Sequence, residues 1–140
     1  MEAIAFYDPG SDITCRHTAG SPGARLVSYP VARTTGGPSG ISDTGDGLLT
    51  VTAPAANAHC FGVTSHDVAA GGTVNVMRPP KVVPIECSGN IAIGDFVSTG
   101  TDGRIAKSGA AAAANGRALS AGAPGTLAAI DLFHQPAVGP

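Results

Sequence analysis

The chain has 140 residues, eight basic and ten acidic side chains and a formal net charge of −2. That length suits one domain, and eight scattered cations without a basic stripe exclude a phosphate-neutralising nucleic-acid surface. Leu, Ile, Val and Phe together number only 29, against 24 alanines, 20 glycines and 11 prolines, so a thin core, many turns and help from partner subunits are expected.

The opening "MEAIAFYDPGSD" has neither a basic n-region nor a sustained apolar h-region, so no signal peptide is expected. No run approaches the length of a membrane span. Three cysteines, Cys15, Cys60 and Cys87, are an odd number and read as reduced thiols of a protein made in the cytoplasm.

Along the chain, short β-type runs are predicted at 3–7, 13–17, 25–32, 48–53, 59–63, 73–78, 81–87, 95–99, 103–107 and 126–133. Gly- and Pro-rich turns such as "DPGSD", "AAGG", "GTDG" and "AGAPG" bound them. Close strand spacing with such punctuation predicts an all-β fold, a small barrel or sandwich, with an extended N-terminal arm and a long loop. At most one short helix is expected. The stretch "SGAAAAANGRAL" (108–119) reads as a short surface helix or loose loop that Asn115-Gly116 stops.

A weak internal echo links "GVTSHDVAAGGTVNV" (62–76) to "GRALSAGAPGTLAAIDL" (116–132). Gly94-Asp95 is expected to turn, and Asp102-Gly103 has hairpin-turn chemistry. The organisation expected is an arm and looser β appendage over 1–58, with a flexible loop at 33–47, and a compact β unit over 59–140. Together they are read as one folding unit.

Candidate chemistry is sparse. His17 lies near Cys15 and His59 beside Cys60, but neither spacing matches a structural zinc site, and buried small cysteines are the better reading. His66-Asp67 resembles an acid–base pair, yet adjacent side chains seldom share a bond, and Asp in such a place commonly serves the backbone. "GGPSG" (36–40) lacks the following Lys of a phosphate loop. Asp43 and Asp46 fall short of a calcium loop. No catalytic, metal or cofactor site is therefore expected.

The run from Phe61 to Phe133 resembles the small head-decoration (cement) proteins of tailed bacteriophages. The matching positions are Phe61-Gly62-Val63, Asp67, Ala69-Ala70-Gly71, Val74, Val76, Gly94-Asp95, Val97, Asp102-Gly103-Arg104, Gly116, Ala118-Leu119, Gly125 and Leu132. The opening "AFYDPGSDITCRHTAG" also resembles that family's N-terminal segment. The resemblance implies an all-β homotrimer on the outer capsid surface of a virion, clamping the major capsid protein. It implies neither enzyme activity nor cofactor, and no contact with nucleic acid or membrane. Ala3, Ile4, Ala5, Phe6 and Tyr7 are the expected contact with the capsid or a neighbouring protomer, because a terminal apolar strand needs a partner to cover it. Two alternatives are a biotinyl- or lipoyl-type carrier, for which Lys81 and Lys107 lack the setting, and a trimeric β-barrel nucleotide hydrolase, whose phosphate clamp is not seen.

Overall fold

A computed structural model describes residues 12–28, 48–109 and 114–133. Ten strands run through them: β1 (Ile13–His17), β2 (Leu26–Val27), β3 (Leu49–Val51), β4 (Gly62–Thr64), β5 (Thr73–Met77), β6 (Lys81–Glu86), β7 (Phe96–Thr99), β8 (Ile105–Lys107), β9 (Gly116–Ala118) and β10 (Leu127–Leu132). They form two five-stranded sheets, ordered β2-β4-β5-β1-β3 and β6-β10-β9-β7-β8. The only helical turn among the described residues, Thr101–Gly103, is the tip of the β7–β8 hairpin. There Asp102 (φ 54°) and Gly103 (φ 74°) are both left-handed, as a two-residue hairpin turn requires.

Each sheet curls until its edge strands meet. A single bridge, Ser28 to Thr52, joins β2 to β3, and another, Cys87 to Ile105, joins β6 to β8. Neither sheet is a closed barrel, but little free edge is left for lateral pairing.

The sheets are two copies of one unit. β1, β2, β3, β4 and β5 correspond in turn to β6, β7, β8, β9 and β10, and many of the hydrogen bonds outside the strands recur as equivalent pairs. The Thr18 amide donates to Val51 as the Ser88 amide does to Ile105. Gly71 donates to His17 as Gly125 does to Cys87. Phe61 donates to Val27 as Asn115 does to Val97. The reciprocal Ser21–Val68 pair recurs as Ile91–Gly122. The units differ in where the third strand is mainly paired, β3 with β1 but β8 with β7, and in one connection, which is a tight turn between β7 and β8 but runs through 28–48 between β2 and β3.

Two apolar clusters follow. The first unit encloses Ile13, Cys15, Val27, Leu49, Val51, Phe61, Val74 and Val76. The second encloses Val83, Ile85, Cys87, Val97, Ile105, Ala128, Ile130 and Leu132, and Leu26, Cys60 and Val63 of the first unit join it. Period-two alternation builds both interiors, as in β1, where Ile13, Cys15 and His17 point inward. Val63 therefore belongs to a different cluster from Val74 and Val76, on the opposite face of the first sheet.

Gly116–Ala118 is neither helix nor loose loop but strand β9, held between β10 and β7. Alanine-rich local propensity gives way to pairing. A Cβ on Gly116 would lie 2.7 Å from the Asp131 carbonyl oxygen, so this glycine admits its neighbouring strand instead of ending a helix. Residues 110–113 of the alanine run, the loop 33–47 and the arm 3–7 lie outside the described residues. The division between the sheets falls between β5 and β6; β4 and β5 pair within the same sheet as β1 to β3, so the sheets do not divide at 58/59.

Candidate functional site

The most organised polar group lies where the two units meet. Arg25 precedes β2 in the first unit, and its Nε and Nη2 donate to Glu86 Oε2 at 3.0 and 2.8 Å. Arg104 Nε donates to Glu86 Oε1 at 2.9 Å, while Arg25 Nη1 donates to the Asp102 carbonyl at 3.1 Å. The Arg25 side chain is only 9% exposed and that of Glu86 20%. Burial alone would raise the Glu86 carboxyl, but the bonds and charge of Arg25, then Arg104, hold it below its ordinary value.

The backbone closes the same junction. The Glu86 amide donates to the Ala24 carbonyl at 3.1 Å. A Cβ on Gly103 would stand 2.4 Å from the Leu26 carbonyl oxygen, so the β7–β8 turn presses directly on β2. Arg78, in the connection between the sheets, covers the Phe61 ring at 4.1 Å and donates to the Phe61 carbonyl.

Beside the junction opens a cleft of about 320 Å³ lined by His17, Gly20, Ser21, Arg25, Ala53 and Asp102 among others. His17 is 1% exposed, and neither ring nitrogen has a partner. Burial therefore pushes its pKa below the ordinary value. Chemically, the junction is a structural clamp. Its guanidinium groups are already committed to Glu86, and the thiols nearby are inert. Burial raises Cys15 to about 11 and Cys60 to about 12, against the charge of Arg78, and burial with the charge of Glu86 raises Cys87.

The residues singled out from sequence fall apart in space. All three cysteines are buried and free, as expected. His66 is exposed and its Nδ1 shares a 2.8 Å hydrogen bond with Ser65. Asp67 serves the backbone, accepting from the Gly23 amide at 2.8 Å. His59 points to solvent while Cys60 points inward. Among the described residues no three His, Cys, Asp or Glu groups converge as metal ligands. Lys81 is paired with Asp12, and Lys107 with Asp95 at 3.1 Å. Asp43, Asp46 and 36–40 lie outside the described residues, as do Ala3, Ile4, Ala5, Phe6 and Tyr7. The clamp itself was not foreseen. Arg25 and Glu86 stand 61 positions apart, and only the inter-unit geometry brings them together.

The architecture so defined is an all-β pair of five-stranded units joined by a buried ion-pair clamp. The fold, without regard to the clamp, is similar to that of the head fibre gp8.5 N base of bacteriophage phi29, a crystal structure that superposes with a TM-score of 0.70 at 20% identity, over 92% of this chain and 98% of that one. At that identity the likeness is one of fold. No protein-family model matches this sequence, and no curated protein does.

Proposed function

We propose that this chain is a non-enzymatic structural component of a bacteriophage virion. It sits on the outer capsid surface, contacts the major capsid protein and associates as a homotrimer. The observation that carries this reading is the match of fold along nearly the whole of both chains to a phage head-fibre base. The decoration-protein resemblance of residues 61–133 points the same way. The thin apolar inventory suits a protomer that partners help to cover, and the committed clamp suits a rigid part more than a reacting one.

Binding to capsids purified without the protein tests the reading, by co-sedimentation followed by a reconstruction of the decorated particle. Stoichiometric decoration with three-fold density is expected, and a protein that stays in the supernatant would refute it. Deleting residues 2–8, or changing Phe6 and Tyr7 to Ser, is expected to weaken that binding without altering the circular dichroism spectrum. Undiminished binding by both variants would remove the arm from the interface.

A further inference from the structure

Among the described residues, the large apolar side chains left exposed are Ile93 at 72%, Val82 at 59%, Leu127 at 57%, Leu119 at 50% and Phe96 at 37%. All belong to the second unit. Val82, Leu127 and Phe96 lie on the outer face of its sheet, Leu119 directly after β9, and Ile93 in the turn before β7. The corresponding positions of the first unit are Asp12, Ser65, Thr73 and Gly23, with Leu26 at the position of Phe96. Four of these five are polar or glycine in the same backbone setting, so the fold does not require apolar groups there.

The fifth position tells what the face is for. In the first unit, Leu26, Val63 and Met77 form one cross-strand row, and that row is packed against the second unit's core. In the second unit the same row is Phe96, Arg117 and Asp131, continued by Val82 beside Asp131. Arg117 stacks on the Phe96 ring at 5.4 Å. The face that serves as an interface in one unit is thus open in the other, and rimmed with apolar groups.

We infer that this outer face of the second unit, centred on Phe96, Arg117 and Asp131, binds a second copy of this chain. The occupant follows from the intrachain contact, since the first unit's row is already seated on a unit of this same fold. The row carries one cation and one acid in adjacent register, so it is neutral, unlike a surface built for a strongly charged partner; seated as the first unit's row is, on a different part of its neighbour, it makes the head-to-tail contact that a ring of three copies needs. With the sheet edges largely consumed by the Ser28–Thr52 and Cys87–Ile105 bridges, association proceeds through a face, not by adding strands. The inference rests on the self-association contained in the proposed function and names the surface that performs it.

Light scattering behind size exclusion, on the full chain over a concentration series, tests it. The variants are Leu127→Glu with Leu119→Glu, and separately Ile93→Asp. Thr73→Glu with Ser65→Glu, at equivalent positions of the first unit, is the control. The wild type and control are expected to self-associate, and the second-unit variants to dissociate at least tenfold more readily with an unchanged circular dichroism spectrum. Equal association by both variant sets would overturn the assignment, as would a wild type that stays monomeric at its highest soluble concentration. Capsid binding by the same samples separates the two readings. A monomer that decorates capsids leaves the virion reading standing and removes this interface, whereas self-association through this face without decoration does the reverse.

Discussion

Gly62 and Gly116 begin equivalent hairpins, one in each unit, and each meets the same obstacle. A Cβ at Gly62 would lie 2.5 Å from the Met77 oxygen and 2.6 Å from Val76 Cγ1; at Gly116 it would lie 2.7 Å from the Asp131 oxygen and 2.7 Å from Ile130 Cγ2. The hairpin turns match as well. Gly72 donates to Ala69, and Thr126 to Ala123, with Gly71 (φ 73°) and Gly125 (φ 80°) in the left-handed third position. Against this shared frame the exceptions are distributed unequally. The first unit keeps its irregularities inside, with His17 and Thr50 carrying unpartnered buried polar atoms. The second puts its irregularity outside, as exposed apolar groups. One backbone pattern therefore supports two different side-chain assignments: one unit anchors its neighbour and the other offers a face.

The clamp is the sharpest asymmetry, because the position of Glu86 is Arg16 in the first unit and that of Arg104 is Thr50. Glu86→Gln leaves two guanidinium groups without a counter-charge, one of them nearly buried, and is expected to cost about 3 kcal/mol. The sign with pH follows from the lowered Glu86 pKa. The contribution is complete above the ordinary value of 4.5 and is lost as pH falls through the lower folded value. Urea unfolding of wild type and variant should therefore diverge at neutral pH and converge in acid. Equal midpoints at neutral pH would mean that the ion pair adds nothing to the apolar and backbone contacts that join the units.

The shared frame is tested by Gly62→Ala and Gly116→Ala. Each drives a methyl into a partner strand's backbone and is expected to cost about 2 kcal/mol, within the range for overpacking. A large cost at one site and none at the other, measured by the same denaturation, would break the equivalence of the hairpins.

Much of this frame was legible in the sequence, and the reason is local. Alternation in Ile13–His17 and Thr73–Met77, together with Gly-containing turns, places strands without reference to anything distant. The echo between 62–76 and 116–132 was visible because the glycines of both hairpins are demanded by backbone geometry. The rest of the duplication was hidden. Ile13 and Val83, Cys15 and Ile85, and Val51 and Ile105 share only apolarity, and the unequal β2–β3 and β7–β8 connections shift the register of any comparison. β9 was missed because Gly116-Arg117-Ala118 is short and follows five alanines. Its strand state comes from β7 and β10 on either side. The clamp is a product of tertiary packing, which no spacing announces; the burial of His17 follows the alternation of Ile13 and Cys15, but its want of a hydrogen-bond partner does not.

His17 stands where the second unit has Cys87. The charged groups lining its cleft are Arg25 and Asp102, and Arg16 lies on the opposite face of β1; none bonds the ring. The fold therefore holds the neutral imidazole, and its folded pKa lies below the ordinary 6.5. Stability is complete above 6.5 and falls as pH drops from there toward the folded value, by at most about 1.4 kcal/mol per pH unit. His17→Cys, the second unit's own choice, is expected to flatten that slope between pH 7 and pH 5 whatever it does to stability at neutral pH. An unchanged slope would assign the acid response to another group.

The smallest effect expected is a gain. Ala24 has φ 58°, and its counterpart is Gly94 with φ 87°. The structural equivalence is tight, since the Ala24 amide donates to Thr64 as the Gly94 amide does to Ala118, both at 2.8 Å. A left-handed alanine costs roughly 1–2 kcal/mol in steric conflict, and glycine returns about 0.4–1 kcal/mol of that through its freer unfolded chain. Ala24→Gly is therefore expected to stabilise by about 0.5 kcal/mol, a rise of about 1–2 °C in melting temperature for a domain of this size. Gly94→Ala should lose a similar amount. The only atom its methyl would approach is Arg117 Nη2 at 3.9 Å, so the loss reports backbone conformation without a clash. Opposite and comparable shifts would show that the two turns pose one conformational problem, which the second unit has solved with glycine and the first has not. A destabilising Ala24→Gly would mean instead that the Ala24 methyl packs at the clamp strongly enough to outweigh its strain.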